Sequence, residues 1–326
     1  MPFLPYQTKH LEACLAIYDS NTPKYFSVQE REEFFEWLHE KVGGDNPYWV
    51  LEVDGEILGC GGIYTSKTHH TTSIYGEEVG FAWGMVHNDL HKKGFGKSLF
   101  LYRLEYLKYH FPNTPIILRT TQNTYTFFAK YGFETLYYTP NGFDDGLDKY
   151  EMIYRDPTKA KLETGRFRLR EAETHDGQHF YELNNNPKVL QYLLMEPYEN
   201  KDGGEKYAQG LIHQYKKYGI GRYLVVEKTT GDVLGWCGLK WLKEEGCPDI
   251  GWRLKESAWG KGIATETAKA CLKYGHEKLG YKRIVAHALV DNVASVRVME
   301  KIGMTYHKNG EYQGHPIVEY ESVIKL

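Results

Sequence analysis

"AWGKGIATE" (residues 258–266) sets two glycines between a tryptophan and the first residues of a helical pattern, and "LHKKGFGKS" (residues 90–98) repeats the rhythm. A bulky residue, a lysine and a Gly-x-small turn lead in each case into a run with helical spacing of apolar residues. The duplication extends outward. "DGEILGCGGI" (54–63) aligns with "TGDVLGWCGL" (230–239), Pro23 with Pro187, Gly132 with Gly303, and Tyr150 with Tyr320. These matches keep the same order, and their separations stay between 164 and 176 residues. Tandem copies of one domain account for this pattern. The polar stretch "RDPTKAKLETG" (155–165) is the expected linker, which divides the chain into domains 1–156 and 157–326.

Each copy reads as a strand, one or two helices, a run of strands, then helix, strand, helix, strand. Hairpin-like connections dominate, so an α+β (mixed α/β) fold is expected, with a mostly antiparallel, partly parallel central sheet flanked by helices in each domain. In the first copy, Ser27 and Glu30 have capping-box spacing ahead of a face made by Phe34, Phe35 and Leu38.

A glycine turn between a strand and a helix is an anion site, because the first amides of the helix and its positive dipole end face outward. Three phosphate loops compete for this pattern. The triphosphate loop GxxxxGK[ST] fails at His91, where its first glycine belongs, and the second copy has no GK[ST]. The dinucleotide loop GxGxxG lacks its third glycine at Thr265 in the second copy and its first glycine in the first copy. Both copies satisfy only x-x-x-Gly-x-(Gly/Ala).

On these residues the chain resembles the GNAT superfamily of acetyl-CoA-dependent N-acetyltransferases, whose signature is (Gln/Arg)-x-x-Gly-x-(Gly/Ala). His91 and Trp259 depart from the first signature position. "RFRLREA", "DIGWRLKESAWGKGIATE" and "DNVASVRVMEKIGM" make the second copy most similar to the RimJ/RimL branch, which includes acetyltransferases of ribosomal-protein N-termini. The resemblance implies acetyl-CoA as co-substrate, without a metal. Its pyrophosphate would lie on the loop residues His91, Lys93, Gly94, Phe95 and Gly96 in one copy, and on Trp259, Gly260, Lys261, Gly262, Ile263 and Ala264 in the other. The strand ends near Val86 and Leu254 would bond the pantetheine arm through their backbone.

The family's tyrosine acid falls on Phe128 and Met299, neither of which can give up a proton, and its asparagine falls on Thr121 and Asn292. The resemblance instead points to Ser295 as donor to the departing sulfur, with Asn292 beside the cofactor. Asp249 is the candidate base, and Glu78 is its nearest counterpart in the first copy. Transfer to an amine needs such a base because a lysine-like amine with pKa about 10.4 is mostly protonated at neutral pH. The expected acceptor is a small-molecule amine or a protein N-terminus, and the second domain is the expected catalyst. The first domain could instead bind acetyl-CoA or a partner without turnover, and a whole-chain acetyl-CoA sensor is a further alternative.

Composition narrows the remaining classes. Residues 1–156 hold 14 Lys and Arg against 21 Asp and Glu, and the remainder holds 26 against 22. Neither half shows the basic stripe of a nucleic-acid binder. No apolar run reaches the ~20 residues of a membrane span, and "MPFLPYQTKH" has no signal-peptide pattern. Five cysteines without CxxC spacing suggest neither a disulfide framework nor zinc, so a cytoplasmic setting is expected. His69 and His70 lack a third ligand at a recognisable spacing.

Overall fold

The computed structural model describes residues 3–43, 45–65 and 77–324, and the expectation for His69 and His70 lies outside them. Contacts divide the chain into two compact units, Met1–Arg155 and Asp156–Leu326.

The first unit runs β1 (Phe3–Pro5), α1 (Leu11–Asn21), α2 (Glu30–Glu36), β2 (Tyr48–Val53), β3 (Glu56–Thr65), β4 (Val79–Val86), α3 (Phe95–His110), β5 (Ile116–Thr120), α4 (Tyr125–Ala129), β6 (Phe133–Asp144) and β7 (Leu147–Tyr154). The capping box forms in both directions: Glu30 N–H donates to Ser27 Oγ (3.2 Å) and Ser27 N–H to Glu30 Oε2 (2.8 Å). Phe34 and Leu38 behind it are buried.

The second unit runs β8 (Leu162–Glu163), β9 (Phe167–Arg170), α5 (Gly177–Leu183), α6 (Pro187–Leu190), α7 (Asp202–Tyr218), β10 (Arg222–Glu227), β11 (Val233–Leu242), β12 (Cys247–Leu254), α8 (Ile263–Glu277), β13 (Arg283–Leu289), α9 (Val293–Lys301), β14 (Thr305–Tyr312) and β15 (His315–Val323). On α8, Ile263, Thr267, Ala268, Cys271, Leu272 and Gly275 form one buried stripe against the sheet. On α7, Ala208, Leu211 and Tyr215 do the same, and Gly219 (φ 70°) ends the helix in the left-handed conformation.

The sheet orders are β1-β2-β3-β4-β5-β7-β6 and β14-β15-β13-β12-β11-β10-β9-β8. Each sheet is antiparallel except at one join, β4 with β5 and β12 with β13. Two mixed sheets flanked by helices result. The last expected strand of each copy is a hairpin, because a further strand precedes it. β14 is exposed at every residue, so it shows none of the apolar alternation that announces a strand. No helix of the described residues is long and apolar enough to cross a membrane.

Candidate active site

Both glycine turns open a long helix. Gly94 (φ 91°) precedes α3, and Gly260 and Gly262 (φ 72° and 73°) precede α8, all in the region that L side chains rarely adopt. The helical ladders begin with Ser98 N–H on Gly94 O and Glu266 N–H on Gly262 O, each 3.0 Å. The amides of Phe95, Gly96 and Lys97, and those of Ile263, Ala264 and Thr265, therefore lie ahead of the first rung. Lys93 and Lys261 stand exposed in the turns. Three outward amides, a dipole end and a lysine fit a pyrophosphate.

The second loop is braced from the β8–β9 turn. Arg166 Nε pairs with Glu266 (2.8 Å), and its Nη2 donates to Lys261 O (3.1 Å). Burial pushes the Glu266 carboxyl up, but bonds from Thr164 and Arg166 outweigh it and hold the group below the ordinary range.

The parallel join in each sheet is short. β12 and β13 are in register only at Asp249 with Val285, and β4 and β5 only at Val79 with Ile116 and Gly80 with Ile117. Past these points the neighbours part, which leaves backbone donors and acceptors along the gap for a ligand to satisfy. At the strand ends, the Leu254 carbonyl accepts from Trp259 Nε1 (2.9 Å). The Val86 carbonyl lies 3.1 Å from His91 Nε2 and accepts from Asn21 Nδ2 at 2.9 Å. Both lone pairs of Val86 O are engaged within the chain, so a pantetheine bond expected there would fall on other atoms of β4.

On the sheet face opposite α8, the second unit holds a polar row. Asp249, Gly251 and Arg253 of β12 oppose Lys240, Gly238 and Trp236 of β11. Arg222 reaches across this row from β10. Its Nη2 bonds Asp249 Oδ2 (2.6 Å), and its Nη1 donates to Gly238 O. A Cβ on Gly251 would lie 2.9 Å from the Arg222 guanidinium, so the glycine makes its path. The Asp249 Oδ1 atom is buried without a partner among the described residues. The Arg222 and Arg253 guanidinium carbons each lie 5.3 Å from the Trp236 ring centroid. Tyr207 of α7 shares the field of both arginines and Asp249. Burial pushes its hydroxyl above the ordinary phenol range while the arginines pull it down. Beside this row, a cleft of about 570 Å³ is lined by Glu182, Leu183, Asn186, Val189, Lys255, Glu256 and Ser257.

Asn292 caps α9, its side chain accepting from Ser295 N–H (3.1 Å), and Ser295 is half-buried. Met299 is buried in the core. Glu78 and Asp249 occupy different registers in their sheets. Tyr64 and Lys240 are equivalent in the two copies, and they pair with Gly80 and Asp249, so Gly80 is the counterpart of Asp249. Glu78 lies two residues earlier, buried against Arg119 Nη2 (3.0 Å) and the Tyr64 hydroxyl (2.8 Å). A Cβ at position 80 would meet Ile117 O at 2.4 Å, which bars any side chain there.

Arg222, Arg253, Trp236, Tyr207 and Arg166 did not emerge from motif reading. Gly238 and Gly251, glycines inside strand patterns, were the available signal of a close approach. Elsewhere, Glu245, His287 and Glu319 bring one ligand atom each within 4.8 Å of one another. Arg283 and Lys308 already pair with Glu319, so the group reads as an ion-pair network.

Family models described as acetyltransferase (GNAT) domains match residues 166–305 and 44–135. The uncharacterized protein YkkB of Bacillus subtilis is 34% identical over 166 residues, covering 50% of this chain and 95% of that protein. The spermidine N(1)-acetyltransferase of Vibrio cholerae is 27% identical over 154 residues, covering 44% of this chain and 87% of that enzyme. Among solved structures, RimL, a ribosomal L7/L12 alpha-N-protein acetyltransferase in complex with coenzyme A, gives a TM-score of 0.45 at 23% identity, covering 49% of this chain and 96% of RimL. The chain belongs to the GNAT acetyltransferases and carries two of their domains. It is an N-acetyltransferase.

Proposed function

We propose that residues 156–326 transfer acetyl from acetyl-CoA to a primary amine, and that Asp249 takes the amine proton. The observation that carries this reading is the buried, unpartnered Asp249 Oδ1, on the strand that parts from β13 beside a glycine-capped helix. The amides of residues 263–265 and Lys261 hold the pyrophosphate, and the β12–β13 gap takes the pantetheine arm. The amine nitrogen attacks the thioester carbonyl, forming the C–N bond as the C–S bond breaks. The amine proton passes to Asp249, and the Ser295 hydroxyl bonds the departing sulfur. Arg222 takes Oδ2 and leaves Oδ1 without a partner among the described residues. The acceptor is a small amine or a protein N-terminus, and the five free, buried cysteines suit a reducing cytoplasm.

The test is thiol release from acetyl-CoA by the full chain across a panel of amines. Asp249→Asn is expected to lower kcat about 10²–10⁴-fold while acetyl-CoA binding persists. Unchanged turnover in Asp249→Asn would remove the base assignment. A second reading concerns residues 1–155, where Glu78 is tied to Arg119 and Tyr64 and no carboxylate stands at Gly80. This domain then binds acetyl-CoA, or a partner, without turnover. Acetyl transfer by residues 1–155 in a chain carrying Asp249→Asn and Ser295→Ala would overturn it.

A further inference from the structure

Three arginines, Arg31, Arg119 and Arg283, hold carboxylates through one edge, Nε with Nη2, whereas Arg170 grips Asp176 through Nη1 and Nη2. Arg31 clasps Asp19 with Nε at 2.7 Å and Nη2 at 3.1 Å. Arg283 holds Glu321 and Glu319 at 2.8 and 2.7 Å, and Arg119 holds Glu151 and Glu78 at 2.8 and 3.0 Å, through the same two nitrogens. Arg253 is built differently. Its Nη1 donates to Asn184 Oδ1 and lies 3.6 Å from Met195 Sδ. Its Nε is buried with no partner, and its Nη2 has none among the described residues. The guanidinium is thus oriented by Nη1 and backed by Trp236, with its Nε–Nη2 edge left without a partner among the described residues.

Charge points the same way. The polar row holds Arg222, Arg253 and the exposed Lys240 against one carboxylate, and Arg222 has claimed Asp249. Burial pulls the Arg253 guanidinium below its ordinary value, with Tyr207 and Tyr198 acting against that pull. Arginine nonetheless stays charged, and a buried charge needs a counter-ion. Asp249 and Arg253 lie on one face of β12, four residues apart, which spans about 13 Å along a strand. A bound molecule can bridge them with an amine at one end and an oxyanion at the other.

Resting on the acetyl-transfer reading above, we propose that the acceptor is a primary amine bearing a carboxylate within about two residues of it, clasped by the Nε–Nη2 edge of Arg253. The carboxylate belongs either to a small dipeptide-like molecule or to the first residues of a protein N-terminus. A polycationic amine does not suit a face with this charge.

The experiment uses the full chain and two matched pairs of acceptors, Ala-Gly with Ala-Gly-amide and Ala-Glu-amide with Ala-Gln-amide, with spermidine as the cationic comparison. In the wild type, the carboxylate member of at least one pair is expected to show at least a 10-fold higher kcat/KM, expressed in KM, as suits a charge-assisted bidentate contact. The first pair reports a terminal carboxylate of a small acceptor, and the second a side-chain carboxylate behind an N-terminus. Arg253→Gln is expected to bring the ratio within about threefold of one. Arg253→Lys keeps the charge without the fork and falls between. Thermal melts show whether each variant folds, and Arg253→Lys carries the test if Arg253→Gln does not. Equal use of amide and carboxylate members, a preference for spermidine, or a ratio unchanged in a folded variant would overturn the proposal.

Calorimetry of the same dipeptides on the CoA-saturated chain separates the two readings. Selective binding of carboxylates without acetyl transfer would sink the transfer reading and leave only the carboxylate contact at Arg253. Transfer without selectivity would do the reverse.

Discussion

Trp259 turns its indole N–H back onto the carbonyl of Leu254, 2.9 Å away, and His91 sets Nε2 3.1 Å from the carbonyl of Val86. In both copies the ring lies five residues beyond the strand end that it holds. The first signature position of the loop, where the sequence departs from the family pattern, is thus used twice for one purpose. A ring N–H fixes the turn to the strand along which the pantetheine is proposed to run.

Trp259→Phe keeps the half-exposed ring and removes only the N–H. One neutral hydrogen bond contributes about 0.5–1.5 kcal/mol. Acetyl-CoA binding by the second unit is therefore expected to weaken about 2–10-fold, with little change in the melting temperature. Calorimetry on the variant checks this, and unaltered affinity would show that the clamp does not order the loop.

Gly262→Glu places a carboxylate in an anion loop and forces a side chain into φ 73°, at a conformational cost of about 1–2 kcal/mol. One acetyl-CoA site is expected to disappear from the binding stoichiometry. Gly94→Glu probes the other loop in the same way. Two sites in the wild type, each removed by one variant, would make both loops working cradles. A single site that survives Gly94→Glu would assign binding to the second unit alone.

Glu78→Gln is expected to act on stability. The carboxylate is 1% exposed, and it joins Arg119 and Tyr64. Losing its charge beside a half-buried guanidinium should cost about 1–3 kcal/mol, read as a lower unfolding midpoint with acetyl transfer retained. Loss of transfer without loss of stability would return Glu78 to a catalytic role.

Stability should also fall with acid through His179. This side chain is buried, and burial pulls its pKa down to about 4, assisted by Lys255 and opposed by Asp176 and Glu182. The folded state then binds fewer protons than the unfolded chain, where the value is about 6.5. The full contribution is present above pH 6.5 and is lost as pH falls toward 4, by at most about 3 kcal/mol. His179→Gln, which does not titrate, should flatten that slope in melts recorded from pH 7 to pH 4. A variant with the wild-type slope would place the titration elsewhere.

Much of the fold was legible because it is written twice. Paired glycines, one strand–turn–strand pattern and one helix end recur in order, and a repeat needs no tertiary contact to be seen. The strand missed before β15 was hidden for a physical reason, whereas β6, before β7, is buried at Phe133, Glu134 and Leu136 and exposed only in its second half. A strand such as β14, with both faces in solvent, has no apolar period.

Sequence alone carried the tandem organisation and the two glycine turns, since a repeat and its local spacing are properties of short segments, and the resemblance to the GNAT family added Asp249 and Ser295 as candidates. Tertiary structure gave the two candidate carboxylates different surroundings. Register puts Gly80 where Asp249 stands, and burial locks Glu78 to Arg119. It also brought Arg222, Trp236, Tyr207 and Arg253 onto one face from β10, β11, α7 and β12. No spacing along the chain encodes that meeting, because side chains from four elements become neighbours only when the sheet has formed and α7 has packed upon it.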